Sequence, residues 1–120
     1  MINLFWHSLG RLYLWKKSYM DLTQQQWVDQ QKEHQAAVIL DVRTPDEFEE
    51  KHIPNAQLLD INDPPAFMAG LEGLDPSKAY FVYCRSGARS ARACQIMGQM
   101  GFATTFNLLG GILEWEGPTS

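Results

Sequence analysis

The sequence predicts a single α/β domain, a mostly parallel sheet flanked by helices, on three observations. Short apolar runs typical of buried strands alternate with segments of helical pattern along most of the chain. Ser, Thr, Pro and Gly signals that start or stop helices separate these segments. A chain of 120 residues, 45% of them hydrophobic and 20% charged, is long enough for one core and has a globular composition.

The first half contains two helix starts around a buried strand. Thr23 with Gln26 predicts a capping box, which Leu22 and Trp27 would close as a hydrophobic staple. The run 38–42 (VILDV) predicts a strand that is buried on both faces. Thr44, Pro45 and Glu47 then predict a second capped helix that extends to about His52, before Pro54.

The second half repeats the alternation and ends in a short helix. Strands are predicted at 56–61, 79–83 and 105–108, and a helix at 67–74. A longer helix follows Cys84, with apolar residues at helical spacing: Ala93, Ile96, Met97 and Met100. Gly101 is predicted to end it, with an apolar contact from Phe102. After Gly110 and Gly111 we expect a short helix that carries Trp115.

Charge and cysteine content exclude several classes. The formal net charge of −4 makes nucleic acid an unfavourable partner. Cys84 and Cys94 do not form a CxxC pair, and with His7, His34 and His52 they give no metal-ligand spacing. We therefore expect no cofactor, reduced thiols and a cytoplasmic location.

Residues 1–19 are predicted to form an amphipathic extension outside the domain at 20–120. Apolar residues at helical spacing (Ile2, Phe5, Trp6, Leu9, Leu12, Tyr13) form a segment too short to span a bilayer, which needs about 20. Lys16 and Lys17 follow the apolar run, the reverse of a signal peptide. The favoured interpretation is a helix that packs on its own domain or a second copy; the alternative is an interfacial membrane helix.

The run 83–90 (YCRSGARS) places Cys84 between a strand and a helix, where ligand sites form in open α/β sheets. Small residues Ser86, Gly87 and Ala88 allow the backbone N–H groups to point inward as an anion-binding nest. Arg85 and Arg89 add positive charge, and all of these features favour thiolate over thiol. A buried cysteine without chemistry is the alternative, and it leaves the small loop residues and the arginines unexplained.

The chain resembles the rhodanese-like (thiosulfate sulfurtransferase-like) family in three stretches, across about residues 21–117. They are LDVRTPDEF with HIPNA (40–48 and 52–56), the Cys84–Arg89 loop, and GGILEW at 110–115. Lys51 and Asn55 depart from the family, which usually has glycine at these two positions. The resemblance implies a three-layer rhodanese-like fold.

The resemblance also implies a mechanism. The Cys84 thiolate would take sulfane sulfur from a small anionic donor such as thiosulfate, hold it as a persulfide, and pass it to cyanide or a thiol, including a protein thiol. Arg85 is the residue expected to contact the donor. For Arg89, contact with the donor and bracing of the loop remain open alternatives. Ser86, Gly87 and Ala88 would bind substrate through the loop backbone.

Five further residues are interpreted as structural. Asp41 and Arg43 favour an ion pair between strand and helix over a role in the site. We expect His52 to make a structural hydrogen bond, Trp115 to join the core, and Cys94 to pack within its helix rather than resolve a disulfide.

Two rival functions remain. Cysteine-dependent phosphatases and arsenate reductases have a similar loop, but with five residues between Cys and Arg, whereas this chain has four. The smaller cradle disfavours a tetrahedral phosphate. A persulfide carrier or docking module that serves a protein partner fits the loop chemistry nearly as well as an enzyme does.

Overall fold

The computed structural model describes residues 19–120 as one parallel sheet with helices on both faces. The strands are β1 (Met20–Leu22), β2 (Val38–Asp41), β3 (Gln57–Leu58), β4 (Ala79–Tyr83) and β5 (Thr104–Leu108). The helices are α1 (Gln24–Lys32), α2 (Pro45–Glu50), α3 (Pro64–Glu72) and α4 (Ala88–Gln99). The strand order is β1-β5-β4-β2-β3, and every pairing is parallel. The predicted α/β class is confirmed.

Strand β4 is the centre of the domain, because all five of its residues are buried. Tyr80 and Val82 face a core shared with Phe67 of α3 and Met97 of α4. The alternate residues face the opposite core, built around Trp27 of α1 (Ala79, Phe81 and Tyr83). Burying each large apolar side chain contributes about 1.5–3 kcal/mol, so both layers hold β4 in place.

Local capping chemistry sets the helix starts as predicted. Thr23 with Gln26 and Thr44 with Glu47 both form complete capping boxes, and Pro45 occupies the first turn of α2. At the end of α4, Gly101 has φ of 96°. The Phe102 N–H bonds to the Met97 carbonyl at 3.0 Å, which completes a Schellman motif.

Helix boundaries differ from the prediction by a few residues. Helix α2 ends at Glu50 rather than His52, because Lys51 adopts an extended conformation and its carbonyl accepts a hydrogen bond from Arg43 Nη2 at 2.7 Å. Helix α3 begins at Pro64, earlier than predicted, because the Asp63 side chain caps it.

Two predicted elements need correction, and one strand was missed. The strand predicted at 56–61 is only the two-residue β3 at the sheet edge. No helix carries Trp115: residues 109–113 form turns, whose N–H groups at Ile112 and Leu113 bond to the carbonyls of Cys84 and Arg85. Strand β1, only three residues long, gave no recognisable pattern.

The extension predicted at residues 1–19 lies, apart from Tyr19, outside the described residues. Within the part of the chain that the structure describes, no helix is long and apolar enough to cross a membrane.

The two departures from the family's glycines are accommodated in different ways. Lys51 is extended, a conformation that any residue adopts. Asn55 is left-handed, with φ of 70°. Asparagine tolerates this region better than other residues with a Cβ.

We expect Asn55→Ala to lower the free energy of unfolding by about 1 kcal/mol, because alanine is strained in the left-handed region. Asn55→Gly is the matched control and should stay within about 0.5 kcal/mol of wild type. Urea unfolding measures both variants. Equal stability of the alanine and glycine variants would contradict the backbone explanation.

Candidate active site

The Cys84 loop joins the central strand to the N-terminus of α4. Gly87 precedes the helix with φ of 108°, a conformation that strongly favours glycine. This turn directs the Gly87 N–H to the Cys84 sulfur, with 3.1 Å between N and Sγ. Ser86 and Ala88, the other small residues of the loop, are exposed beside it.

Cys84 is almost completely buried, with 1% of its surface exposed. Burial alone would raise the pKa of its thiol. The hydrogen bond with the Ser90 hydroxyl and those from the N–H groups of Ser90, Gly87 and Ser86 outweigh burial, so the pKa of Cys84 is lowered. The Ser90 Oγ lies 3.3 Å from Sγ. The expected shift toward thiolate therefore has support from the hydrogen bonds that converge on the sulfur.

Arg89 makes a two-pronged ion pair with Glu47 of α2. Its Nη1 and Nη2 donate to the two carboxylate oxygens at 2.8 and 2.9 Å. These bonds hold the pKa of Glu47 down at about 2. Hydrogen bonds to Glu47 raise the pKa of Arg89, whereas burial lowers it. The negative charge at Cys84 contributes further to the raised pKa. Arg89 thus braces the loop against α2 while it remains within the field of the sulfur.

Arg85 is exposed, and within residues 19–120 its guanidinium makes no ion pair. Its backbone is held firmly, because the Arg85 carbonyl accepts the Leu113 N–H at 3.0 Å. The two arginines of the loop therefore differ: one is occupied by a carboxylate, and the other is open to an incoming anion.

Gly111 supports the loop from behind. A Cβ at this position would lie 2.3 Å from the Arg85 oxygen and 2.6 Å from the Cys84 oxygen, and φ is 58°. Only glycine allows the two backbone segments to approach this closely.

Asp41 and Arg43 form the predicted structural ion pair. Arg43 Nη2 lies 2.6 Å from Asp41 Oδ2, and both side chains are buried. The guanidinium also lies 5.5 Å from the centre of the Tyr83 ring and bonds to the Lys51 carbonyl. The pair therefore joins β2, β4 and the end of α2.

The remaining sequence-predicted residues have the environments that we expected. His52 Nδ1 lies 2.9 Å from the Phe48 carbonyl oxygen, and its ring stacks on Phe48 at 3.8 Å. Trp115 packs edge-on against Trp27 at the rim of the core. Cys94 is fully buried on α4, and burial raises its pKa to about 12. Such a thiol is unreactive at neutral pH.

Four residues of the site were not singled out in the sequence: Glu47 as a partner of Arg89, Gly111 as a close-approach position, and the buried pair Ser90 and Asn107. The hydroxyl of Ser90, in the first turn after a candidate nucleophile, was an available signal. Asn107 and Glu47 reach the loop only through tertiary contacts, so no local pattern identifies them.

A cleft of about 340 Å³ borders the loop on the α3 side. Arg89 and Arg92 lie on one wall, and Phe67, Met68 and Ile96 are among its apolar residues. This combination suits a ligand with an anionic group. Within residues 19–120, no group of three or more His, Cys, Asp or Glu side chains is placed to hold a metal ion.

Comparison with known proteins gives concordant results. The family model described as "Rhodanese-like domain" matches residues 24–118. "Putative sulfurtransferase YtwF" of Bacillus subtilis is 41% identical over 81 residues, which cover 68% of this chain and 75% of that protein. "Thiosulfate sulfurtransferase GlpE" of Coxiella burnetii is 36% identical over 85 residues, covering 69% and 77%.

Solved structures support the same fold. A rhodanese-related protein from Thermoplasma volcanium aligns with a TM-score of 0.72 at 28% identity, covering 85% of this chain and 98% of that one. A rhodanese-like domain protein from Staphylococcus aureus aligns with a TM-score of 0.68 at 27% identity, covering 82% and 94%. The expected rhodanese-like architecture is confirmed.

The Glu47–Arg89 pair predicts a pH-dependent stability. Folding lowers the pKa of Glu47 to about 2. The charged carboxylate therefore stabilises the folded state at pH values above the ordinary glutamate pKa, and this contribution is lost as the pH falls toward 2. We expect Glu47→Gln to be about 1 to 2 kcal/mol less stable than wild type at pH 7, with the difference shrinking below about pH 4.

Urea unfolding at a series of pH values tests this, with Glu49→Gln, an exposed carboxylate on the same helix, as control. A stability difference that is constant from pH 7 to pH 3 would reject the ion pair as its source.

Proposed function

Because the chain belongs to the rhodanese-like domain family, we propose that it is a sulfurtransferase that carries sulfane sulfur on Cys84. The donor is a small anion such as thiosulfate, and the acceptor is cyanide or a thiol. The observation that carries the proposal is the buried Cys84 sulfur, 3.1 Å from the Gly87 nitrogen and 3.3 Å from the Ser90 oxygen. These donors stabilise negative charge on a sulfur atom that is otherwise removed from water.

In the first half-reaction, the Cys84 thiolate attacks the outer sulfur of thiosulfate. A bond forms between Sγ and that sulfur, the sulfur–sulfur bond of the donor breaks, and its electron pair leaves with sulfite. The product is a Cys84 persulfide, whose negative charge lies near the inward-pointing N–H groups of the loop.

In the second half-reaction, cyanide or an acceptor thiolate attacks the outer sulfur of the persulfide. The electron pair of the broken bond returns to Sγ and restores the Cys84 thiolate. The sequence is ping-pong, and it conserves charge and electrons without a redox cofactor or a metal.

The arginines take separate roles in this proposal. Arg85 is open to solvent and contacts the anionic donor, whereas Arg89 is held by Glu47 and positions the start of α4. Backbone N–H groups at Ser86, Gly87 and Ala88 line the site where the donor is bound.

A persulfide carrier for a protein partner is the second candidate. Leu109 and Leu113 are 46% and 61% exposed on the turn whose backbone supports the loop. Exposed apolar side chains beside a reactive sulfur favour a protein acceptor. A negligible rate with thiosulfate and cyanide, combined with sulfur loading of Cys84 from a protein donor, would favour the carrier.

We expect Cys84→Ser to abolish persulfide formation, because a serine hydroxyl does not displace sulfite from thiosulfate at neutral pH. Intact mass spectrometry after incubation with thiosulfate measures the gain of one sulfur atom. Cys94→Ala is the control and should load normally, because Cys94 is buried with a high pKa. Sulfur retained on Cys84→Ser would overturn the assignment.

We expect Arg85→Ala to raise the KM for thiosulfate roughly tenfold, the effect of losing about 1.4 kcal/mol of contact with a charged group. Arg85→Lys should recover part of the loss, because it keeps the charge but not the paired donors. Steady-state kinetics with cyanide as acceptor give both values. An unchanged KM in Arg85→Ala would show that Arg85 does not contact the donor.

A further inference from the structure

A chain of buried polar groups adjoins Cys84. Ser90 and Asn107 are 0% and 2% exposed. The Ser90 Oγ lies 3.3 Å from Cys84 Sγ and 2.5 Å from Asn107 Oδ1. The Asn107 amide nitrogen lies 2.9 Å from Asp21 Oδ1 and 3.3 Å from the Gly87 carbonyl oxygen. The chain thus connects the reactive sulfur to β5 and β1.

The neighbours of Asn107 fix the orientation of its amide. Asp21 Oδ1 and the Gly87 carbonyl are both acceptors, so the NH₂ group must face them. The reversed orientation would place the amide oxygen against two other oxygens. The amide oxygen therefore faces Ser90, from which it can only accept a hydrogen bond.

The Ser90 hydroxyl has one proton and two neighbouring acceptors. When Cys84 is a thiol, its S–H donates to Ser90 Oγ and the Ser90 O–H donates to Asn107, which satisfies every group. When Cys84 is a thiolate, Ser90 can donate to the sulfur only if the Asn107 oxygen loses its donor. A buried acceptor without a donor is costly.

We propose that the Ser90 hydroxyl turns from Asn107 Oδ1 to Cys84 Sγ each time Cys84 loses its proton, and that Asn107 is a positioning residue that competes for this hydroxyl. The Cys84 proton leaves to water. The O–H bond of Ser90 does not break, because only its direction changes. Asn107 thereby limits how strongly Ser90 stabilises the thiolate.

Other charges around Cys84 are left in place by this rearrangement. Asp21 on β1 and Asp41 on β2 face the site from the sheet, while Arg89 lies on α4 and is paired with Glu47 of α2. Arg43, Arg85 and Cys94 are further titratable groups of this region. Asp21 accepts from the Asn107 amide in both orientations of the Ser90 hydroxyl, and none of these charged groups changes partner when that hydroxyl turns.

The proposal predicts opposite effects of two substitutions in one hydrogen-bonded chain. Ser90→Ala removes the donor to the thiolate and should raise the Cys84 pKa by about one unit. Asn107→Leu removes the competing acceptor and should lower the Cys84 pKa by about half a unit to one unit. General loosening of the loop, including loss of the bond to Gly87, would raise the Cys84 pKa in both variants.

The rate of Cys84 alkylation by iodoacetamide, followed by intact mass from pH 4 to pH 10, measures this pKa. Cys94 does not interfere, because its pKa is about 12. Thr105→Val is the matched control: Thr105 is buried two residues before Asn107 on β5 and lies against Cys94, and the variant should leave the Cys84 pKa unchanged. If Asn107→Leu does not fold, the same decrease in the Cys84 pKa is expected of Asn107→Val.

The double variant Ser90→Ala/Asn107→Leu completes the test, because without the hydroxyl Asn107 has nothing to compete for. Its Cys84 pKa should equal that of Ser90→Ala. A Cys84 pKa that rises or stays constant in Asn107→Leu, or falls equally with and without Ser90, would overturn the proposal. The measurement involves no sulfur donor, so its failure would leave the sulfurtransferase proposal to be decided by persulfide loading.

Discussion

The left-handed turn at Gly87 is the constraint on which the site depends. At this turn the chain, having left β4, enters α4, and successive N–H groups point back at the Cys84 sulfur. A thiolate with 1% exposure has lost its hydration, and only donors held in place can replace the lost water. Backbone N–H groups suit this purpose because they do not reorganise when charge arrives.

The loop is held in this shape by distant parts of the chain. Behind it, the turn after β5 approaches closely at Gly111 and bonds to the carbonyls of Cys84 and Arg85. On one side Glu47 of the second capping box holds Arg89, and from the sheet Asn107 reaches the Gly87 carbonyl. These supports lie in or beside the separated stretches that carry the family resemblance, which gives a physical reason for their joint occurrence.

The sequence predicted those features whose causes are local. Capping boxes at Thr23 and Thr44, the glycine stop at Gly101 and the buried central strand depend on residues within a few positions of one another. Features that depend on distant partners were missed. Arg89 and Glu47 are 42 positions apart and Asn107 and Asp21 are 86 apart. The short helix predicted after Gly111 is a turn instead, because the N–H groups of Ile112 and Leu113 bond to the carbonyls of Cys84 and Arg85, which no local pattern reveals.

The two cysteines separate the causes of thiol activation within one domain. Cys84 and Cys94 are 1% and 0% exposed, so burial raises the pKa of both. The pKa of Cys94 rises to about 12, whereas that of Cys84 is lowered. The difference follows from their donors: Cys94 has the side chain of Thr105 beside it, while Cys84 has three backbone N–H groups and the Ser90 hydroxyl. Exposure therefore does not distinguish the thiol that we propose to carry sulfur from the one that we expect to be inert. The two thiols differ instead in the number of hydrogen-bond donors around each sulfur. Cys84 has several because it lies at the junction of strand and helix.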